Sequence, residues 1–213
     1  MSLVSFDPRL MAPELVVAFL AFAVLVADLL LPAERKTLLW WLSLVGLGLA
    51  LAVAGAGWLA KGTTLNGAFV SDPFTSTIKV VFLLAAFLAV MTSPDERLIS
   101  GISLGEYYCL MLFATFGFMV LASAGDLIMI FVGLEMASIP CYVLAGYSYR
   151  DVKSNEAGIK YFLLGAFSSA IMLYGMSFLY GLCGSTFLTD IGAALARTSD
   201  TLVPTVGFGA FLA

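Results

Sequence analysis

Long apolar runs, broken at short intervals by clusters of polar residues, set the pattern of this chain. Crossing about 30 Å of hydrocarbon takes roughly 20 apolar residues. Six runs reach that length, at approximately 13–31, 38–59, 74–91, 106–124, 126–145 and 157–182. A seventh begins at Leu202 and is cut off at Ala213; twelve residues rise only about 18 Å as a helix. The pattern predicts an all-α, polytopic transmembrane helix bundle with six complete spans and the start of a seventh. The short loops carry no Ser/Pro/Gly-rich linker, so residues 1–213 read as a single transmembrane domain, the N-terminal portion of a longer protein.

The first run has no basic stretch before it and contains Glu14 and Asp28, so it reads as a retained span rather than a signal peptide. Between the sixth and seventh runs, STFLTDIGAALART places Leu188, Ile191 and Leu195 at helical spacing. That spacing fits a short helix lying in the membrane interface or a loop with a few core-facing leucines. Small residues recur every fourth position, as Ala137, Cys141 and Ala145 in the fifth run and Gly165 and Ser169 in the sixth. Such stripes let membrane helices approach closely. Pro140 removes one backbone hydrogen bond from the fifth helix and predicts a kink there.

Composition sharpens the class. The 213 residues are 62% hydrophobic and 11% charged, against about 25% charged in a soluble domain. Most of the surface must therefore face lipid or other membrane helices. A net charge of −4 without a basic run argues against nucleic acid as a partner. Histidine is absent, and Cys109, Cys141 and Cys183 are far apart. Haem and iron–sulfur centres rely mainly on His and Cys, so no cofactor or metal is expected in this chain. Without His the usual hydrolytic triad is also missing, and the composition points to ion movement rather than bond-making chemistry. Placing the N-terminus outside puts Arg35, Lys36, Arg97, Arg150 and Lys153 in the cytoplasm, with Arg9, Lys61 and Arg197 opposite. The excess of positive charge favours that orientation.

Against this background, charges inside the spans stand out. Glu135 lies near the middle of LIMIFVGLEMASIPCYVLA, where an unpaired charge costs on the order of 2.5–3.5 kcal/mol on insertion scales. No basic residue lies one turn away on the same helix. Its partner must be another helix, water or a bound proton. Burial favours the neutral form of an acid and a nearby cation favours its charged form. An acid with a movable amine can thus take up and release a proton, while the alternative is a structural carboxyl bonded to a neighbouring helix.

Lys160 sits about one turn inside the sixth span, on a face continued by Leu164, Phe167, Ile171 and Tyr174. It either joins a proton path, linked to Glu135 through water, or pairs with Glu156 four residues earlier and snorkels. Lys79 and Tyr174 are secondary candidates. Lys79 is expected to snorkel outward or to pair with an acid such as Asp72. Glu14 and Asp28 are expected to be boundary anchors, and Asp126 to cap the fifth helix.

Two stretches carry a family resemblance. DLIMIFVGLEMASIPCYVLAGY (126–147) and RDVKSNEAGIKYFLLGAFSSAIMLYG (150–175) resemble the fifth and sixth helices of subunit N of respiratory complex I, the NADH–quinone oxidoreductase. The resemblance implies an antiporter-like inverted-repeat fold in the inner (plasma) membrane, carrying proton half-channels. It implies that Glu135 governs a lysine on a later helix and that Lys160 belongs to the hydrophilic path. It also implies other membrane-arm subunits and the lipid bilayer as partners, with NADH, FMN, iron–sulfur clusters and quinone bound elsewhere in the complex. A cation/proton antiporter subunit without electron transfer, and a purely structural membrane subunit, are the competing readings.

Overall fold

Six helices long and apolar enough to cross a membrane dominate the computed structural model, which describes residues 6–32, 35–93 and 104–197. They are α1 (Ala12–Leu30), α2 (Thr37–Ala56), α3 (Pro73–Thr92), α4 (Leu104–Ala122), α5 (Leu127–Ala145) and α6 (Val152–Cys183). A seventh helix, α7 (Leu188–Arg197), is shorter and amphipathic. The apolar run expected from Leu202 lies outside the described residues.

Capping chemistry sets the helix starts. Asp72 accepts the Thr75 amide at 2.7 Å, and the Thr75 hydroxyl receives the Asp72 amide, a reciprocal cap opening α3. Asp126 accepts the Met129 amide at 2.6 Å at the start of α5, as the sequence predicts. Asp151 does the same for Lys153, so α6 begins five residues before the apolar run does. Hydrophobicity locates where a helix meets lipid, whereas the cap locates where the helix itself begins. At the other end Gly184 adopts the left-handed conformation (φ 68°) that stops α6. The run expected over 38–59 stops as helix at Ala56, and Gly57 begins a turn.

One core joins the first four helices. It contains Val17, Leu20, Ala21 and Val24 of α1, Leu39 and Leu47 of α2, Leu83, Ala86 and Val90 of α3, and Tyr108, Leu112 and Met119 of α4. Helices α4 and α5 approach closely. A β-carbon on Gly117 would stand 2.3 Å from the Ala137 amide nitrogen, and one on Gly133 would stand 2.7 Å from the Leu121 nitrogen. The small-residue stripe noted in the sequence is thus only part of the packing, and the decisive glycines lie outside it. Helix α5 runs unbroken through Pro140. The proline leaves the Met136 carbonyl without its helical donor, at the point where Gly117 lets α4 press against that same peptide.

Helix α6 packs on α5 and α7 and leaves most of its surface exposed. There the Tyr142 ring lies over Gly165, and Gly146 meets Gly158. Ile191 of α7 is buried against Leu127, Met172, Met176 and Leu179, with Leu195 alongside, so the segment is a short helix whose apolar residues face the core.

Among the described residues the all-α expectation holds apart from one hairpin, β1 (Gly62–Thr64) paired with β2 (Phe69–Ser71). Its tip presses on the α4–α5 turn, where the Gly125 amide donates to the Ala68 carbonyl at 2.7 Å and the Val70 amide donates to Ser123 at 2.8 Å. Leu127 and Leu188 then tie that turn to the link between α6 and α7. Hairpin, turn and link together close one end of the bundle, called here the hairpin end.

Candidate functional site: two carboxylates within the bundle

Glu135 projects from the middle of α5, eight residues from Leu127 and ten from Ala145. It is half-buried, and its Oε1 accepts a hydrogen bond from the Ser169 hydroxyl of α6. Its partner does come from another helix, but that partner is a hydroxyl. Among the described residues no ion pair involves Glu135.

Lys160 is not brought to Glu135. Its ammonium pairs with Glu156 on the same helix, both groups largely exposed. Lys160 and Ser169 are nine residues apart, about 13 Å along the axis, so even a water link would have to be long. Tyr174 is exposed, with its ring edge-on to Phe178, and no contact joins it to Glu135 in the described structure.

Lys79 corrects the sequence reading. Instead of snorkelling or pairing with Asp72, it is 2% exposed and meets Glu14 Oε1 at 2.7 Å. Asp72 is occupied by the cap of α3. Glu14, expected as a boundary anchor, is fully buried. It occupies the first turn of α1, where the helix dipole favours an acid. The Lys79 ammonium also lies 4.8 Å from the centroid of the Phe69 ring, a second favourable contact for the cation. This pair was missed because each residue sits near the end of a mostly apolar span, where anchoring at the membrane boundary is the ordinary reading. Glu14 continues the buried stripe Val17, Ala21 and Val24, and Lys79 continues Leu83, Ala86 and Val90. In a helix that is hydrophobic all round, such a stripe has no polar face to reveal it.

At the end opposite the hairpin, Asp28 pairs with Lys36 at 3.0 Å. Tyr147 lies in the turn after α5, where burial, followed by the charges of Glu106 and Asp28 and a hydrogen bond to Glu106, pushes its hydroxyl well above the usual phenol range. It stays protonated at any working pH. Among the described residues no group of three or more His, Cys, Asp or Glu is gathered to hold a metal.

Comparison with known proteins gives these carboxylates a setting. A family model described as NADH:quinone oxidoreductase/Mrp antiporter, TM, matches residues 124–213. NADH-quinone oxidoreductase subunit N of Trichlorobacter lovleyi is 40% identical over 200 residues, covering 94% of this chain and 41% of the relative. The subunit N of Moorella thermoacetica is 43% identical over 188 residues, covering 88% and 39%. In respiratory complex I from Thermus thermophilus with bound aureothin, one chain superposes with a TM-score of 0.77 at 28% identity, over 94% of this chain and 42% of its own. A chain of the membrane-bound sulfane sulfur reductase, an archaeal respiratory membrane complex, gives 0.79 at 22% identity, a likeness of fold. The chain spans about two-fifths of the length of the curated relatives it matches.

Proposed function

We propose, from relatives named as subunit N of NADH-quinone oxidoreductase over the stretch it covers, that the chain is part of a proton-translocating membrane-arm subunit of that family in which Glu135 binds and releases the transported proton. The observation that carries this reading is the pairing of a mid-span carboxylate with a lone hydroxyl, without a cation among the described residues. A carboxylate held at that depth by one neutral donor is incompletely compensated as an anion. A bound proton, or an amine brought beside it, would supply the missing compensation, and alternation between the two is what a proton carrier requires. The open side of α6 leaves room for such an approach.

In this reading the chain is a non-redox part of the oxidoreductase. NADH, flavin, iron–sulfur clusters and quinone are held by other subunits, and neighbouring antiporter-like subunits are its partners in a bacterial plasma membrane. Moving one charge against 100 mV requires about 2.3 kcal/mol, and that free energy arrives through contacts with those subunits. The hairpin end faces outward by the distribution of lysine and arginine. The antiporter alternative gains no support from the relatives, which are named as oxidoreductase subunits.

The test is Glu135→Gln in the intact complex, with proton pumping and electron transfer measured together. At least a tenfold loss of pumping is expected. Pumping and turnover both at the parental level would refute the proposal.

A further inference from the structure

A second acid in the bundle has a route to water. The Glu14–Lys79 pair lies beside a cavity of about 290 Å³ among the ends of α1, α2 and α3 at the hairpin end. Its lining includes Arg9, Ser71, Ser76 and Lys79, and exposed Arg9 stands at its mouth. A water molecule's share of liquid volume is about 30 Å³, so the space accommodates several, with hydroxyl and cationic groups to bind them. Glu14 does not line the cavity; Lys79 does, and its ammonium is 2.7 Å from the Glu14 carboxylate.

The other carboxylate oxygen, Glu14 Oε2, is fully buried and has no hydrogen-bond partner among the described residues. A purely structural buried ion pair is stabilising only when its remaining lone pairs are also satisfied. Lys79 therefore satisfies the carboxylate only in part, and the orphaned oxygen is the place where a further proton would sit.

We infer that Glu14 and Lys79 form a second proton-exchange site, filled from the aqueous phase at the hairpin end, with Lys79 as the relay. The Lys79 ammonium gives a proton to the Glu14 carboxylate, breaking an N–H bond and forming an O–H bond. The resulting neutral amine then takes a proton passed along the cavity water from a hydronium ion of the aqueous phase, which is left as water. The pair passes from carboxylate and ammonium to carboxylic acid and ammonium, with a net uptake of one proton, and release is the reverse. The ammonium left after uptake keeps its contact with the Phe69 ring. Among the described residues, Arg9 is the one other charged group lining the cavity, while α2 and the turn after it contribute Val53, Ala54, Ala56, Gly57 and Ala60 there. The site is distinct from Glu135, and its exchange does not depend on the role proposed for that residue.

The experiment is infrared spectroscopy of the carboxylic C=O region in the intact complex, reconstituted in vesicles, while the pH on the hairpin side is stepped. The expected result is a band that changes with pH in the parent, is lost in Glu14→Gln, and remains in Glu135→Gln. In Lys79→Met the Glu14 band should be present but unresponsive to the step. If that variant does not assemble, Lys79→Gln keeps a polar side chain and carries the same test. A parent with no pH-responsive band removed by Glu14→Gln would overturn the inference. So would a lysine variant whose Glu14 band responds as the parent's does.

Discussion

Two acids inside one bundle have been given different company. Glu14 sits in the four-helix core, fully enclosed, with an ammonium at 2.7 Å and an aromatic ring beyond it. Glu135 sits on α5, half-buried, with a serine hydroxyl from a helix whose outer surface is bare. The cation makes the difference. Where the chain supplies its own cation, the acid is enclosed and any proton must reach it through that amine. Where it supplies only a hydroxyl, the acid has no ion-pair partner among the described residues.

The largest effect should come from unbalancing the closed pair. Lys79→Met leaves Glu14 buried without its counter-ion, and breaking such a pair costs about 3–5 kcal/mol. Thermal unfolding of the purified complex should show this subunit lost first. The double variant Glu14→Leu/Lys79→Met should recover most of the loss, because replacing both members with apolar groups is close to neutral. Failure of the double variant to recover would break the comparison by making the pair more than a local charge balance.

Next comes the α4–α5 contact that positions Glu135. Gly117→Ala would place a methyl against backbone atoms at 2.3 Å, and overpacking of this kind costs about 1–3 kcal/mol or more. Reduced assembly is expected, with the surviving complex pumping less per electron.

Ser169→Ala removes the described donor to Glu135, a bond to a charged group worth about 1.5–3 kcal/mol. The initial rate of vesicle acidification should fall severalfold, and Ser169→Thr, which keeps the hydroxyl, should restore it. An unchanged rate in Ser169→Ala would show that the hydroxyl plays no part in holding the acid.

Smaller still is the contribution of Tyr147. Its hydroxyl titrates higher in the folded protein than the ordinary value of 10.0, so its stabilising effect is complete below that value and is lost as pH rises through the folded value. Tyr147→Phe should remove part of the alkaline fall in stability above about pH 10, measured as melting temperature against pH. The smallest effect is assigned to Lys160. Exposed pairs four residues apart contribute about 0.3–0.5 kcal/mol, so Lys160→Met should leave stability and pumping near parental levels. A large loss there would return Lys160 to the proton path.

The membrane architecture was legible because burial in lipid demands length and apolarity, and both are written directly in the sequence. The Asp126 cap and the Leu188–Ile191–Leu195 face were legible for similar reasons: a polar residue before an apolar run, and a helical period in a mixed segment. Glu135 stood out as an isolated acid in an apolar run. Its partner Ser169 did not, since serine is also an ordinary packing residue in such helices. The Glu14–Lys79 pair was hidden because a charge near the end of an apolar span does not show whether it turns outward to water or inward to another helix. Gly117 and Gly133 were hidden because a close helix approach depends on which two glycines meet across the interface, and that is a property of the pair.

The most direct test of the central claim is the carboxylic C=O signal of Glu135 in the intact complex, compared between the resting state and NADH-driven turnover and identified by its loss in Glu135→Gln. The account predicts that this band changes intensity as the enzyme turns over, as the acid gains and loses its proton. A band that stays constant, or never forms, while the parent complex pumps protons at full rate would contradict it.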